Sequence, residues 1–526
     1  MPRSTMGGPS DMMAAIADYW RLMRAGASLA RHDVVLPGEY QRRLPLPARI
    51  AGRTLRLITG GARGRPGVRL ARALEKLGPA YIKMGQFLAT RPDVFGVETT
   101  TDLSRLKDNL PAFPVAKARK ALAEEFGPEE AKALFPELGD PVAAASLAQV
   151  HRMEAEDGAK AVKILRPGIE ERLQKELRAM GRAARNIERV SADSRRLRPV
   201  AFTRTVAESM DKELDLRLEA GGAGEMKEIS DADGFYQIPN VDWQRTGKRV
   251  LTTDWVAGLP LTHPDALEGT HIDRAYLANC VTRGFLSHAI KHGVFHADMH
   301  EGNMIITPEG KLALIDFGII GRVGVMERRF LAEILWGFIQ RDYQRIAEVH
   351  FEAGYVPADK SVGDFAQALR SVGEPIHGKN AEDVSMARLL LQLLDFTHTF
   401  GMEMRPELIL LQKTMVQVEG VARVIDPGHD IWTAAEPIVG EWVRTQFGPA
   451  GAAKLVTETV RDVSDRLKRL PAVMDKLEAS LDAPKEPVNL RRERFAPWWG
   501  WFLFLGFLAL VGWLAGVSVL GILQQE

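Results

Sequence analysis

The sequence contains two short stretches that decide the fold, Phe295-His296-Ala297-Asp298-Met299-His300-Glu301-Gly302-Asn303 and Ile315-Asp316-Phe317-Gly318. Asn303 follows Asp298 by five residues, and Asp316 follows Asn303 by 13 residues with an apolar, strand-like run between them. A carboxylate can accept the proton of an attacking hydroxyl group, and Mg²⁺ prefers carboxylate and amide oxygens as ligands. The spacing therefore predicts a phosphoryl-transfer centre in which Asp298 is the catalytic residue and Asn303 and Asp316 bind the metal.

Protein kinases use this spacing, with a loop H-R-D-x-x-x-x-N followed by D-F-G. Each motif alone also fits plain turns with a capping asparagine, but the two in this order favour the kinase interpretation. Kinases also need a strand lysine that holds the α- and β-phosphates, and the stretch Lys160-Ala161-Val162-Lys163 resembles their V-A-I-K. We assign that role to Lys163 and expect Lys160 on the exposed side of the strand.

Two further segments are expected to contact the nucleotide. The first stands where kinases carry a glycine-rich loop, and it consists of Ala143, Ala144, Ala145 and Ser146. Alanine has a Cβ that keeps its backbone away from phosphates, so the nucleotide is expected to lie differently here; a short helix or a turn is the alternative interpretation. The second is a hinge predicted at 252–258, where adenine would contact the backbone of Asp254, Trp255 and Val256.

The order of strand-like and helical patterns predicts an α+β, protein-kinase-like bilobal fold with a small β-containing N-lobe and a mostly helical C-lobe. Strands are expected at 147–153, 159–165 and 238–243, and a turn at Asp157-Gly158 predicts a hairpin between the first two. Several helices are expected at 68–134, with turns at Gly78-Pro79, Arg91-Pro92 and Gly127-Pro128. A long helical region is expected from about Glu170 to Ala220, and the glycines at 221–224 are expected to end a helix. The single cysteine, Cys280, excludes an intramolecular disulfide and suits a reducing compartment. The predicted domains are a basic N-terminal segment (1–66), a helical extension (67–140), the N-lobe (141–258), the C-lobe (259–483), a basic linker (484–497) and a transmembrane helix (498–523).

The two ends of the chain point to a membrane. Residues 1–74 hold 13 arginines and four acidic residues, which suits an anionic surface, a solvated helix face or an organelle transit peptide. The 26 uncharged residues at 498–523 would form a helix of about 39 Å, enough to span a hydrocarbon core of about 30 Å once. Arginines 491, 492 and 494 precede this helix, so the positive-inside rule places the rest of the chain in the cytoplasm. A buried helix of a soluble protein is the alternative.

Further motifs, in the same chain order, resemble the UbiB family of atypical kinase-like proteins over roughly residues 75–425. Lys83-Met84-Gly85-Gln86 resembles the family's K-x-G-Q, and Ala143–His151 resembles its alanine-rich loop. Glu213-Leu214-Asp215 resembles its E-x-D, and Arg217–Ala220 contains Glu219, which in the family pairs with the strand lysine. The chain departs from the family pattern at Ala148, where some members have glycine, and at Met299 and Glu301, where prolines are frequent.

The resemblance implies that the protein binds ATP or ADP with Mg²⁺, hydrolyses ATP, and takes part in the biosynthesis of ubiquinone. It also implies that a K-x-G-Q and E-x-D pair of motifs covers the place of a protein substrate, with Lys83, Gln86, Glu213 and Asp215 as regulatory residues. On a continuous helix Asp215 and Glu219 share a face and Glu213 points away from it. We therefore expect Lys163 to pair with Glu219, and Lys83 to approach Glu213 or Asp215.

Three functions stay open at this point. The complete set of site residues favours a membrane-anchored ATPase or small-molecule kinase, and the alternative is a nucleotide-binding scaffold for quinone-synthesis enzymes that turns nothing over. A conventional protein kinase is disfavoured, because helical sequence resumes by 324–327 and no A-P-E segment follows the D-F-G motif. Expected partners are membrane lipid and a quinone precursor or ubiquinone-synthesis enzymes, and no nucleic acid. The expected location is the inner membrane of a bacterium with a single pass, or alternatively the mitochondrial inner membrane.

Overall fold

The computed structural model describes residues 9–32, 34, 64–89, 97–103, 106, 111–190, 198–269, 272–376, 399–402 and 406–447. These residues divide into two compact units. The first unit contains the described residues up to Arg217 together with Trp243–Thr252, and the second contains Leu218–Asp242 and the described residues from Thr253 onward. Part of the predicted N-lobe segment, 218–242, thus lies in the second unit.

Helices make up most of the first unit, and several of them begin with proline because the first helical position needs no N–H donor. Gly78 and Gly127 follow two of these helices with φ angles of +108° and +90°. The turns predicted at Gly78-Pro79 and Gly127-Pro128 are therefore confirmed. The helices are α1 (Pro9–Arg31), α2 (Pro66–Leu77), α3 (Pro79–Ala89), α4 (Val97–Leu103), α5 (Val115–Phe126), α6 (Pro128–Leu134), α7 (Ile169–Val190) and α8 (Pro199–Glu213).

The sheet has the strand order β1 (Glu137–Ala144), β2 (Ala148–Ala155), β3 (Gly158–Leu165) and β4 (Val250–Asp254). β2 and β3 form the predicted hairpin, in which Ala155 pairs with Gly158 and leaves a two-residue loop. Val162 and Ile164 face an apolar core that includes Leu122 of α5. Because successive side chains alternate between faces, Lys163 lies on the opposite side of the sheet.

The last helix before the sheet ends at Leu134, in agreement with the helices expected at 68–134, and β1 begins at Glu137, ahead of the predicted N-lobe boundary at 141. The expectation that Lys160 lies on the exposed side of its strand was wrong. Lys160 is only 5% exposed, because it shares the face of Val162 and its Nζ lies 2.8 Å from the Asp157 carboxylate at the hairpin tip. A long aliphatic stem can cover a core while its charge is paired at the rim.

The helical region predicted from Glu170 to Ala220 is broken at Asp215. α8 ends at Glu213, and α9 (Leu216–Asp233) begins after a two-residue break. The Asp215 carboxylate accepts a hydrogen bond of 3.2 Å from the N–H of Arg217 and so caps the start of α9. The expectation that Glu213, Asp215 and Glu219 lie on one continuous helix was therefore wrong, since aspartate favours a helix start over a helix interior.

The glycine run at 221–224 lies inside α9 and does not end it, contrary to expectation. A Cβ at Gly222 would lie 3.0 Å from Cγ1 of Ile320 and 3.3 Å from the carbonyl oxygen of Phe317. Nothing lies within 4 Å of a Cβ at Gly221. The missing side chain at Gly222 therefore lets α9 approach the turn that contains Phe317.

Helices surround a large apolar core in the second unit, to which α10, α14 and α15 contribute many residues. The helices after α9 are α10 (Arg274–Ser287), α11 (Val325–Gln340), α12 (Tyr343–Glu352), α13 (Val362–Gly373), α14 (Pro406–Ile425) and α15 (Ile431–Phe447). The short strands are β5 (Leu259–Pro260), β6 (Val294–His296), β7 (Met304–Ile306), β8 (Leu312–Leu314) and β9 (Ile320–Arg322). β5, β7 and β8 form one small sheet, and β6 pairs with β9. The strand predicted at 238–243 is wrong, because around this stretch only isolated bridges form, Gln237 to Ala313 and Val241 to Thr253.

No helix within the described ranges is long and apolar enough to cross a membrane. The basic linker predicted at 484–497 and the transmembrane helix predicted at 498–523 lie outside the described residues. Both therefore stay predictions from the sequence.

Candidate functional site

The predicted catalytic loop, residues 297–303, joins β6 to β7 in the second unit and is held by its own hydrogen bonds. The side-chain nitrogen Nδ2 of Asn303 donates to the carbonyl oxygen of Asp298 at 3.0 Å. The backbone N–H of His300 donates to the same carbonyl oxygen, also at 3.0 Å. Met299 is 1% exposed and belongs to the apolar core. Burial of Met299 and the bonds of Asn303 thus hold the loop in place without prolines at 299 and 301.

His296 connects this loop to the Asp316 turn. Its Nε2 donates to the carbonyl oxygen of Asp316 at 2.6 Å, and its Nδ1 accepts the N–H of Asp298 at 3.1 Å. An imidazole that donates at one nitrogen and accepts at the other is neutral, and burial lowers the pKa of His296 accordingly. The Phe317 ring stands edge-on to it at 5.5 Å between ring centres. Through these contacts His296 orients the loop relative to the Asp316 turn.

Asp316 has a backbone conformation that is uncommon for a residue other than glycine, with φ of +68°. Its Oδ1 accepts the N–H of Gly318 at 3.1 Å. The preceding residue, Ile315, donates its N–H to the carbonyl oxygen of Asn303 at 3.0 Å. The two predicted metal ligands are therefore linked through one backbone hydrogen bond, and strained backbone of this kind is concentrated at functional sites.

The donor atoms at Asn303 and Asp316 fit a nucleotide-borne Mg²⁺. Asn303 uses its amide nitrogen inside the loop, so its amide oxygen is the atom suited to a metal. Asp316 adds carboxylate oxygen, the other ligand type that Mg²⁺ prefers. Within the described ranges, no group of three or more His, Cys, Asp and Glu residues is suited to holding a metal ion. This small donor set suits Mg²⁺ that is bound by one or two protein ligands together with substrate phosphates.

Two residues that the sequence analysis missed contact the Asp298 carboxylate from α14. Nε2 of Gln417 donates to Oδ1 of Asp298 at 3.2 Å, and Nζ of Lys413 lies 3.5 Å from the same oxygen. On the other side, Nε2 of His300 lies 3.5 Å from Oδ2. Thr414 donates a hydrogen bond of 3.3 Å to the carbonyl oxygen of Ala297 and so fixes α14 against the loop. The i, i+4 spacing of Lys413 and Gln417 shows a shared helix face, but no motif links that face to Asp298.

α9 adjoins the Asp316 turn within the same unit. Glu219, the predicted partner of the strand lysine, is 9% exposed on α9 and precedes Gly222 by three residues. Farther along α9, Glu225 accepts two hydrogen bonds from Arg322 of β9, at 2.8 and 2.5 Å. These bonds lower the pKa of Glu225. α11 begins at Val325, which confirms that the segment after Gly318 is short.

The strand lysine belongs to the first unit. Lys163 lies on β3 opposite Val150 of β2 and is half-buried. It lies on the face of the sheet opposite the apolar core, where it can contact a polar ligand. Lys163 and Glu219 fall in different units, so their pairing stays a prediction.

The predicted alanine-rich loop begins at the end of β1, which includes Ala143 and Ala144, and the chain turns at 145–147 before β2 begins at Ala148. The N–H of Ala145 donates to the carbonyl oxygen of Ala148 at 2.8 Å. Nε and Nη2 of Arg166 donate to the carbonyl oxygen of Ala145 at 2.9 and 2.8 Å. Ser146 is only 1% exposed, whereas Ala143 and Ala145 are exposed. Arg166, which the sequence analysis missed, therefore holds this turn in place. The exposure of Ala143 and Ala145 leaves the backbone of this segment accessible to a ligand.

The K-x-G-Q residues lie on α3, also in the first unit. Nζ of Lys83 lies 2.8 Å from Oε2 of Glu213 on α8, which confirms the predicted approach. Asp215 instead accepts hydrogen bonds from Nε and Nη2 of Arg217 at 2.8 and 2.7 Å. A Cβ at Gly85 would overlap the terminal methyl groups of Leu106 and Leu74, so an alanine there would require these side chains to shift. Gln86 is half-buried on α3, and its regulatory role stays a prediction.

The predicted hinge contains a point where the chain passes from the first unit to the second, between Thr252 and Thr253. The N–H of Asp254 donates to the carbonyl oxygen of Asn240 at 2.9 Å. Nδ2 of Asn240 in turn donates to Oδ2 of Asp254 at 2.6 Å. Since the Asp254 N–H is used in this way, adenine would need its carbonyl oxygen or the backbone of Trp255 and Val256.

Comparison with known proteins gives two matching families. Residues 105–350 match the ABC1 atypical kinase-like domain, and residues 369–430 match the UbiB helical domain. A protein from Marinobacter nauticus called "Probable protein kinase UbiB" is 34% identical, over 86% of this chain and 85% of its own. A protein of the same name from Aeromonas hydrophila is 33% identical, over 84% and 82% of the two chains.

A solved structure agrees at the level of the fold. The complex of Rv3197 from Mycobacterium tuberculosis with erythromycin matches this chain with a TM-score of 0.50 and 22% identity, over 77% of this chain and 99% of that chain. This likeness supports a kinase-like fold of mixed, mostly helical content. Together with the family matches and the spacing of Asp298, Asn303 and Asp316, it confirms the resemblance seen in the sequence, and the chain belongs to the UbiB family of atypical kinase-like proteins.

Proposed function

We propose that this protein binds ATP or ADP with Mg²⁺ and releases the terminal phosphoryl group of ATP to water or to a small acceptor molecule. The observation that carries the proposal is the hydrogen-bond network that links Asp298, Asn303 and Asp316 through His296. Phosphoryl transfer depends mainly on positioning and on charge stabilisation. The network positions the Asp298 carboxylate, and it positions the oxygen atoms of Asn303 and Asp316 that would bind Mg²⁺. It therefore supplies both the positioning and the charge stabilisation that the reaction needs.

Each predicted residue has a role in this proposal. Asp298 accepts the proton of the attacking water or hydroxyl group, because its carboxylate is the part-exposed group of the loop. Mg²⁺, when bound, neutralises charge on the phosphates. Asn303 and Asp316 are the Mg²⁺ ligands, and Lys163 with Glu219 binds the α- and β-phosphates.

Two backbone segments complete the proposed nucleotide site. The phosphate loop consists of Ala143, Ala144, Ala145 and Ser146. The segment that contacts adenine consists of Asp254, Trp255 and Val256.

Hydrolysis or a small acceptor fits better than a peptide substrate. β9 begins at Ile320, and α11 follows at Val325. Conventional kinases use a longer segment between D-F-G and A-P-E at this point. The short connection provides little surface on which a peptide could lie, so protein phosphorylation is disfavoured.

The proposed setting is ubiquinone biosynthesis at a membrane, with the kinase-like part in the cytoplasm of a bacterium. Family membership supports the link to ubiquinone, and the arginines before the apolar stretch at 498–523 support the orientation. Membrane lipid and a quinone precursor or a quinone-synthesis enzyme are the proposed partners. Membrane attachment can be tested by flotation with lipid vesicles, comparing the full chain with one that ends at 497.

The decisive experiment measures phosphate release from Mg-ATP by the full-length protein in anionic lipid vesicles. Asp316→Asn and Asp298→Asn are compared with wild type, and Asp265→Asn, at an exposed position outside the predicted site, is the control. We expect both site variants to lose at least about tenfold in turnover, with the control unchanged. Nucleotide binding is measured separately by calorimetry.

A wild-type protein that binds nucleotide tightly but releases no phosphate would overturn the catalytic proposal. That result would favour the scaffold for quinone-synthesis enzymes. The link to ubiquinone is tested by measuring quinone content in a bacterium that lacks its own family member and carries this gene. Restored quinone with wild type, and none with Asp298→Asn, is the expected result.

A further inference from the structure

The predicted catalytic loop contains no lysine or arginine that could lie next to Asp298. The four residues between Asp298 and Asn303 are Met299, His300, Glu301 and Gly302, and none is lysine or arginine. The nearby lysine comes from α14, where Nζ of Lys413 lies 3.5 Å from Oδ1 of Asp298. Phosphoryl transfer builds up negative charge around the transferred group. Lys413 is far from the loop in sequence but contacts Asp298, the proposed proton acceptor. It therefore places a positive charge where the loop itself has no lysine or arginine.

Gln417 contacts the same carboxylate oxygen from one turn farther along α14. Its Nε2 donates to Oδ1 of Asp298 at 3.2 Å, across 119 residues of sequence. The other end of this amide, Oε1, is buried and has no hydrogen-bond partner within the described part of the chain. Turning the amide over would bring its oxygen against the carboxylate, so Asp298 sets the orientation of Gln417.

Thr414 shows that this face of α14 is fixed against the loop. Its side chain is fully buried, and its hydroxyl group contacts the carbonyl oxygens of Ala297 at 3.3 Å and Leu410 at 2.8 Å. Lys413, Thr414 and Gln417 thus approach the catalytic loop from one helix. Their joint placement gives α14 a direct influence on the Asp298 carboxylate.

We propose that α14 completes the catalytic loop, with Lys413 and Gln417 as positioning residues that hold Oδ1 of Asp298, while Oδ2, which lies 3.5 Å from Nε2 of His300, accepts the proton. This inference rests on the proposed function. In the step itself, the acceptor O–H bond breaks and its proton moves to Oδ2 as the acceptor oxygen bonds to the terminal phosphorus. The bond from that phosphorus to the bridging oxygen breaks, and its electron pair stays on ADP. During the whole step, Lys413 keeps a positive charge next to the Asp298 carboxylate.

The test compares Lys413→Met and Lys413→Arg in the full-length protein in vesicles, with Lys360→Met as the control at an exposed lysine. We expect Lys413→Met to lower kcat about tenfold or more, with KM for Mg-ATP and nucleotide affinity within about twofold of wild type. Lys413→Arg keeps the charge and should recover most of the loss. Lys413 is 44% exposed, so folding is expected to be intact, and circular dichroism melting checks it.

A second comparison separates positioning from a general structural effect. If Lys413 acts through Asp298, then Lys413→Met causes no further loss of kcat when it is added to Asp298→Asn. Fully additive losses, or wild-type kcat in Lys413→Met, would overturn the inference while the proposed function stands. A wild-type protein without turnover that depends on Asp298 would instead overturn the proposed function, and this inference with it.

Discussion

His296 donates a hydrogen bond of 2.6 Å from its ring Nε2 to the backbone carbonyl oxygen of Asp316. Its Nδ1 accepts the N–H of Asp298 at 3.1 Å, so one buried ring joins the predicted catalytic loop to the turn that contains Asp316, a predicted metal ligand. Only the neutral ring with its proton on Nε2 can make both bonds. The lowered pKa that burial gives His296 keeps it in that form near neutral pH.

Replacing His296 by alanine is expected to damage both stability and turnover. The change leaves two part-buried backbone groups without their partner and opens a cavity, so unfolding free energy should fall by about 2–4 kcal/mol. Turnover of Mg-ATP should fall as well, because Asp298 and Asp316 lose their connection. Urea unfolding and phosphate release measure the two effects, and His263→Ala, at an exposed position, is the control. Normal turnover in a folded His296→Ala protein would contradict the positioning role.

The sequence predicted the catalytic loop, the D-F-G turn and the β2–β3 hairpin because each depends on local spacing. It did not predict that Lys413 contacts Asp298, because a contact between residues so far apart is set by how helices pack. The break at Asp215 was missed since the helical pattern continues across it, and only the capping bond to Arg217 reveals the new helix start. Local patterns thus predicted the candidate site residues, but not the side chains that contact them.

Gly221 and Gly222 of α9 form a matched pair for testing contact with the Asp316 turn. A Cβ at Gly221 meets nothing within 4 Å, whereas one at Gly222 would lie 3.3 Å from the carbonyl oxygen of Phe317. Alanine is a better helix former than glycine, so Gly221→Ala should raise unfolding free energy by about 0.5–1 kcal/mol. Gly222→Ala should lack this gain and should lower turnover, because backbone near Asp316 must shift. Equal stability and turnover in both variants would show that the close approach has no consequence.

The ion pair between Lys83 and Glu213 is expected to couple α3 to α8 energetically. Its side chains are 15% and 18% exposed, and the two charged atoms lie 2.8 Å apart. Removing either partner takes this charged contact from the other, which stays part-buried, so Lys83→Met and Glu213→Gln should each cost about 1–3 kcal/mol. The double variant should lose clearly less than the sum of the two.

A double-mutant cycle by urea unfolding measures this coupling. The pair Lys132 and Glu129 on α6 is the control, because its side chains are 75% and 89% exposed. Exposed pairs of this kind contribute little, so no measurable coupling is expected there. Additive losses at Lys83 and Glu213 would mean that the contact does not tie α3 to α8.

Stability should fall in mildly acidic solution because of His288 and His350 in the second unit. Burial lowers the pKa of each to about 4 from an ordinary value of 6.5. The unfolded chain therefore binds more protons than the folded chain between these values, and stability is fully present above pH 6.5 and is lost as pH falls toward 4. Each histidine should contribute a loss of about 3 kcal/mol over this window.

His350→Phe tests the effect at one of these positions. The His350 ring packs against Phe365 at 5.2 Å and Tyr355 at 6.0 Å between ring centres, so another aromatic ring can replace it. The variant cannot be protonated, and its unfolding free energy should fall less between pH 7 and pH 5 than that of wild type. Urea unfolding across this range measures the slope, with His263→Ala, at an exposed histidine, expected to follow wild type. An equal loss of stability in His350→Phe and wild type as pH falls would contradict this prediction. It would mean that His350 is protonated as readily in the folded protein as in the unfolded chain. The burial of neutral His350 would then not be the cause of the acid sensitivity of this unit.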